Sequence, residues 1–295
     1  MKVDGLGARA GVILNTIILV LFTFMCFYPF YYLLIYSFSN SAKAASGVYL
    51  LPADITLFNY KQILLQNDVL QSALISLSRT VTGTILTVIC SSAFAYLLAQ
   101  PQMPFRKFFY RVTVVTMYIS VGLIPWFVVM KSYGLMNNFL LYIIPSAISV
   151  FYVILCKTYV EQLPPGLTEA AYLDGAGPVQ IFIRVVFPLC KPVLATIAIF
   201  SAVNQWNSWT DNFYLVNTAN LQTLQLTLLN YLTNQQMFEA VTNTAGMLAN
   251  RSHLTTSPTT LRMAISLLVA APILLVYPLF QRYFVGGIMI GAIKG

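Results

Sequence analysis

The chain has 295 residues, 58% of them apolar and only 8% charged, with a mean hydropathy of +0.76. An ordinary soluble domain is about one quarter charged because water must wet its surface, so this composition excludes one. The formal net charge of +8 fits the bias of membrane proteins toward basic cytoplasmic loops, and no basic cluster with interleaved aromatics argues for nucleic acid.

The reading is an all-α polytopic membrane protein. Six apolar stretches run along it, at about 12–38, 69–98, 108–130, 139–160, 188–209 and 261–284. Each can cross about 30 Å of hydrocarbon at roughly 1.5 Å per residue. Ala42-Lys43-Ala44 after the first stretch looks like a signal-peptidase site, but a signal core is only about 7–15 apolar residues long; a retained helix is expected. In the outer segment that follows, Leu57, Tyr60, Ile63 and Leu64 stand at helical spacing and predict a short helix on the membrane surface. Arg79 is the charge set deepest inside an apolar stretch, the others lying within a few residues of an end. It is expected to snorkel outward or face a wet cavity, with a direct place on a translocation path as the alternative.

An inner segment occupies 161–187 and is taken up below. Near the outer end of the fifth stretch, Trp206, Asn207, Trp209 and Tyr214 combine stacking faces with hydrogen-bonding groups. That mixture suits sugars, and it equally suits an aromatic belt at the membrane interface. The outer segment at 210–260 is rich in Asn, Gln and Thr, and Leu221, Leu224, Leu228 and Tyr231 mark one helical face within it. Basic residues in the connections divide ten to five in favour of the side that holds both termini, which places the termini in the cytoplasm. Cys26, Cys90, Cys156 and Cys190 sit in or beside apolar runs and read as small buried hydrophobes.

Several chemistries lack their residues. Gly-Lys occurs nowhere and His253 is the only histidine, so neither a phosphate-cradling loop nor a histidine-based metal or nucleophile site can be built. The eight carboxylates, Asp4, Asp54, Asp68, Glu161, Glu169, Asp174, Asp211 and Glu239, all fall in connections or at the ends of apolar stretches. A self-contained secondary carrier or channel is the alternative function, but carriers place ionisable groups or broken helices at mid-depth. A membrane-embedded enzyme would need paired acids near the membrane plane.

The inner segment reads Glu169-Ala170-Ala171-Tyr172-Leu173-Asp174-Gly175-Ala176-Gly177, then Phe182, Arg184, Phe187-Pro188-Leu189 and Lys191-Pro192. Residues 167–174 predict a short helix with Thr168 as its N-cap. Gly175 and Gly177 permit a sharp turn, and 179–186 predicts a second short helix leading into the fifth stretch. Two alanines beside a glutamate make a low knob able to enter a groove on a partner.

This segment resembles the EAA motif of permease subunits of ATP-binding-cassette importers, matched from Glu169 to Pro192. Leu57-Phe58-Asn59-Tyr60, Gln205-Trp206-Asn207 and the closing run 287–295 look like the carbohydrate branch, the MalG-like permeases and the subgroup serving complex polysaccharides, to which LplC-like proteins belong. The resemblance implies a MetI-like, type I importer fold of six helices in the bacterial cytoplasmic membrane. It implies a heterodimer with a second permease, two ATPase subunits that hold ATP and magnesium, and an extracytoplasmic solute-binding protein; no cofactor is implied in this chain. Glu169, Ala170, Ala171, Asp174, Gly175, Ala176 and Gly177 would form the coupling helix seated on the ATPase. Ala170 and Ala171 would pack on its groove wall, and the tail at 286–295 would reach the ATPase interface. The segment at 217–236, with Asn217, Asn220, Gln222 and Gln225, would meet the binding protein. Trp206, Asn207, Trp209, Tyr214 and Arg79 would lie along the sugar path.

Overall fold

The computed structural model describes residues 6–44, 47–64, 67–119, 121–233 and 258–287. Among them the regular structure is helical, apart from one isolated antiparallel bridge between Ser39 and Ile55. Helices α1 (Leu6–Ser37), α2 (Ser41–Ala44) and α3 (Phe58–Leu64) precede the long α4 (Asn67–Ala99). Next come α5 (Arg106–Tyr118), α6 (Leu123–Ser132), a 3-10 turn at Phe139–Tyr142 and α7 (Val150–Val160). The inner segment contributes α8 (Pro165–Leu173), α9 (Pro178–Ile181), a π turn at Phe182–Val186 and α10 (Phe187–Leu189). The chain continues through α11 (Lys191–Asn207), α12 (Thr210–Leu215), a 3-10 turn at Ala219–Leu221, α13 (224–233) and α14 (Pro258–Gly287).

Among the described residues, Ala10–Ser37, Val69–Ala99 and Thr259–Val276 are long and apolar enough to cross a bilayer as single helices. Pro178–Leu189 and Lys191–Asn207 reach that length only when taken together, across a bend of 82°. That elbow falls at Cys190, between Pro188 and Pro192, neither of which has an amide to continue a helical ladder. The stretch at 108–130, expected as one helix, is divided. α5 stops at Tyr118 and α6 starts at Leu123, with Gly122 at φ +76° between them, a backbone state open to glycine and hostile to the helix. The stretch at 139–160 is divided too, into the 3-10 turn and α7, with Pro145 in the gap.

The chain forms two compact units, Met1–Asn67 with Leu228–Ala271 and Asp68–Thr227 with Pro272–Gly295. In the first, α1 exposes apolar side chains all round, Ile18, Phe22 and Met25 among them, as a lipid-facing helix does. Its C-terminal carbonyls need partners, and Asn59 of α3 supplies them. Its side-chain amide donates to the Ser37 and Ser39 carbonyls at 2.9 and 3.0 Å, and its oxygen accepts from the Ser41 hydroxyl. Tyr60 donates to the Ser37 hydroxyl at 2.7 Å.

In the second unit, α4 inverts the polarity of a soluble helix. Ser72, Ser76, Arg79, Thr87 and Ser91 are buried, with Gly83 on the same stripe. Leu70, Leu74, Leu77, Val81, Ile85 and Ile89, at the same spacing two residues earlier, are exposed. Steps of three and four keep each set on one face, so the polar face meets protein and the apolar face is left exposed. Each polar side chain on the stripe reaches another element. Thr227 donates to Ser72 at 3.0 Å, the Leu224 amide to Ser76 at 2.8 Å, Thr87 to the Ser146 carbonyl at 2.8 Å, and the Ser149 amide to Ser91 at 3.2 Å. Further along, Leu98, Val153, Ile181, Val186 and Ile197 join α4, α7, α9 and α11 in an apolar core. Glu161 at the end of α7 accepts from Arg106 at 2.5 Å and Lys157 at 2.8 Å, while Arg106 Nε also donates to the Leu98 carbonyl at 2.7 Å. That knot ties the last turn of α4, the first turn of α5 and α7 together.

Candidate functional site

Two parts of the second unit bear on function: a polar cavity beside α4 and the inner loop built on α8 and α9. At the cavity, Arg79 projects from the middle of the buried stripe. Its guanidinium grips Asp211 with two bonds, Nη2 to Oδ2 at 2.6 Å and Nη1 to Oδ1 at 3.2 Å, the fork geometry that makes arginine–carboxylate pairs strong. Nε donates to Gln205 Oε1 at 3.2 Å and Nη1 to the Ser208 carbonyl at 3.3 Å, and the cation lies 4.4 Å from the centre of the Tyr142 ring. The two side chains are 3% and 13% exposed. Arg79 therefore does not snorkel; it lines a cavity of about 360 Å³, and its carboxylate partner is in place.

Gln205 bridges three elements, accepting from Arg79 while donating to the Tyr142 carbonyl at 3.2 Å and the Ser146 hydroxyl at 2.6 Å. Its side chain runs across Gly83, where an added Cβ would stand 2.5 Å from Nε2 and 2.7 Å from Cδ. Asn212 donates to the Tyr142 hydroxyl at 2.7 Å and accepts from the Thr223 amide at 2.9 Å. Asn204 and Tyr152, bonded at 3.0 Å, complete the polar wall, with Trp126 as an aromatic surface. Of the residues expected along a sugar path, Arg79 alone lines this cavity. Trp206 and Trp209 are half-buried, and Asn207 and Tyr214 are exposed. Trp209 and Tyr214 each meet Phe213 edge-on. Tyr142, Tyr152 and Asn204, which line it, escaped the sequence reading, and Gln205 entered it only as part of the Gln205-Trp206-Asn207 run. Their signal was the 3–4 spacing on α4, which pointed to a polar partner wall.

Asn217, Asn220, Gln222 and Gln225 surround the turn before α13. Asn217 and Asn220 are exposed, Gln222 and Gln225 half-buried. The Asn217 amide donates to Asn137 at 2.7 Å and the Asn220 carbonyl accepts from Gln71 at 3.3 Å. The Gln225 side-chain oxygen is buried without a hydrogen-bond partner among the described residues. Residues 234–257 of that outer segment, with Glu239 and His253, and the tail from 288 lie outside the described residues.

The inner loop is a helix, a glycine turn and a second helix. Pro165 opens α8, where its missing amide costs nothing, and Pro164 rather than Thr168 is the N-cap. Thr168 sits inside the first turn, its hydroxyl donating to the Pro165 carbonyl at 2.8 Å. Asp174 closes the helix and Gly175 takes φ +80°, with its amide on the Tyr172 carbonyl and the Ala176 amide on the Ala171 carbonyl, both at 3.0 Å. Gly177 caps α9, its amide donating to Gln180 Oε1 at 3.2 Å. Glu169, Ala170, Asp174, Gly175 and Gly177 are exposed.

The two alanines do not act alike: Ala170 faces out, while Ala171, Tyr172 and Ala176 pack against the core that holds α4 and α7. One turn after Glu169, Leu173 is 89% exposed. It stands with Glu169 and Ala170 on the side of α8 turned away from the packed Ala171 and Tyr172.

Residues 89–290 match the profile of the family described as binding-protein-dependent transport system inner membrane component. The chain is 32% identical over 282 residues to the polygalacturonan/rhamnogalacturonan transport system permease protein YtcP of Bacillus subtilis (strain 168), covering 94% of this chain and 96% of that one. It is 32% identical over 268 residues to protein LplC of the same organism, covering 90% and 89%. A crystal structure of a bacterial ABC transporter involved in the import of the acidic polysaccharide alginate superposes with a TM-score of 0.86 at 29% identity, over 96% of this chain and all of that one.

Proposed function

The chain belongs to the binding-protein-dependent transport system inner membrane components, and on that premise we propose that it carries oligosaccharides or polysaccharide fragments across the bacterial cytoplasmic membrane. It is a non-catalytic permease subunit of an ATP-binding-cassette importer. In this reading it pairs with a second, related permease and crosses the membrane six times with both termini inside, the stretches at 108–130 and 139–160 crossing as broken helices. ATP and magnesium sit in two partner ATPase subunits, and sugar arrives from a solute-binding protein that meets the outer turn at 217–225.

The observation that carries this reading is the inner loop: an exposed glutamate and leucine on a helix whose other side is packed into the core joining α4, α7, α9 and α11. A force applied at Glu169 and Leu173 reaches those helices through packed side chains rather than through a slack connection. ATP binding in the partner favours one of two arrangements of the helices, and the differential binding energy resides in that partner. Glu169 offers a carboxylate to a donor on the ATPase, Ala170 and Leu173 lie against its groove, and Asp174 to Gly177 set the angle of the loop. Ala171 works from the inner side, as a seat. The cavity of Arg79, Tyr142, Tyr152 and Asn204 supplies this subunit's wall of the passage, its aromatic and amide groups matching the faces and hydroxyls of sugars.

Glu169→Lys in the assembled transporter tests the assignment. Uptake is expected to be lost while the chain still inserts and still assembles in the membrane; normal uptake of labelled oligosaccharide by that variant refutes the role of the loop.

A further inference from the structure

At the start of α5 a second concavity, of about 790 Å³, is ringed by Arg106, Lys107, Arg111 and Lys157, with Phe105, Phe108 and Tyr110 between them. Glu161 serves Arg106 and Lys157, and Lys157 also lies 4.4 Å from the Tyr110 ring centre. Lys107 and Arg111 are exposed and form no ion pair among the described residues. The first turn of α5 adds positive potential of its own. It has no acidic residue and no side-chain cap, so its dipole favours an anion, although the Arg106 and Phe108 amides already donate to the Met103 and Phe105 carbonyls. From here Phe108, Val112 and Val115, all exposed, continue at steps of four and three along one face of α5. The rest of α5 from Phe108 to Tyr118 spans roughly 15 Å at 1.5 Å per residue, about half of the roughly 30 Å hydrocarbon core.

We propose that this concavity binds the phosphate of an anionic phospholipid, with an acyl chain lying along the apolar face of α5. A free phosphate would account for the cations but not for the one-leaflet apolar track that begins among them, and a lipid accounts for both. The aromatic rings at the mouth mark the depth of the headgroup, as rings do at membrane interfaces. The inference rests on the membrane reading of this chain and is independent of which sugar is carried.

The test uses the assembled transporter in nanodiscs of phosphatidylcholine with increasing phosphatidylglycerol, and counts lipids retained in native mass spectrometry. The double variant Lys107→Gln/Arg111→Gln is expected to bind phosphatidylglycerol about thirtyfold more weakly, the factor carried by two cations near a membrane surface. Lys107→Arg/Arg111→Lys is expected to bind as the parent does. Equal retention by the glutamine variant, equal retention of phosphatidylcholine, or displacement of the lipid by millimolar inorganic phosphate would each overturn the proposal. Side-selective labelling of a cysteine placed at Lys107 reports orientation separately: labelling from outside sinks the topology given above but leaves the lipid site standing, because either leaflet supplies anionic lipid.

Discussion

Removal of Asp211 leaves Arg79 buried with its charge uncompensated. Exposed ion pairs contribute about 0–1 kcal/mol, but side chains only 3% and 13% exposed belong to another regime, in which loss of one partner costs about 3–5 kcal/mol. Two of the guanidinium bonds go to Asp211, at 2.6 and 3.2 Å, while those to Gln205 and the Ser208 carbonyl remain, as does the Tyr142 ring. Those remaining neighbours are neutral, so Asp211→Ala is expected toward the upper part of that range. Arg79→Leu strands the carboxylate instead, and the double variant strands neither. Unfolding of the chain by SDS in bicelles gives the free energies for the full cycle. The double variant should be less destabilised than the sum of the two single ones by about 1.5–3 kcal/mol. Additivity within about 0.5 kcal/mol would refute the claim that the pair acts as a buried unit.

Gly83→Ala should destabilise by about 1–3 kcal/mol through overpacking, because its Cβ meets Gln205 at 2.5 Å; the same unfolding assay should show part of the loss restored when Gln205→Ala is added. At Gly175 nothing lies within 4 Å of an added Cβ, so only the φ of +80° resists substitution, at roughly 1–2 kcal/mol for an ordinary residue. Gly175→Val should therefore insert and assemble yet hydrolyse ATP without uptake, with Gly175→Asn between it and the parent, since asparagine tolerates the left-handed region. Equal coupling in all three would show that the bend has no part in transmission.

The sequence displayed the helical membrane class and the inner loop because both depend on local signals. Apolar runs announce α1, α4 and α14, and glycines announce the turn after α8, where Gly175 does adopt positive φ. Interruptions were harder to read. Hydropathy averages over Gly122 and Pro145 as though they were ordinary members of an apolar run, whereas backbone geometry stops a helix at each. The polar wall opposite α4 was hidden for another reason: Ser72, Ser76, Thr87 and Ser91 are weakly polar, and a window mean does not register which face they share. Thr168 was misplaced because proline at the first helical position outranks threonine as a start signal when the two stand close together. Ala171 differs from Ala170 only in the direction it faces, which the packing of Tyr172 and Ala176 decides.

The distance in sequence between Arg79 and Asp211, 132 residues, has a consequence for how the protein is made. Bacterial chains grow at about 5–20 residues per second, so Arg79 is synthesised roughly 7–26 s before the carboxylate that will neutralise it. Ser146 and Ser149 arrive partway through that interval to meet Thr87 and Ser91, while Ser72, Ser76 and the charge of Arg79 still lack their partners. The helix must wait beside water, or beside the insertion machinery, until the second half of the chain arrives to cover it.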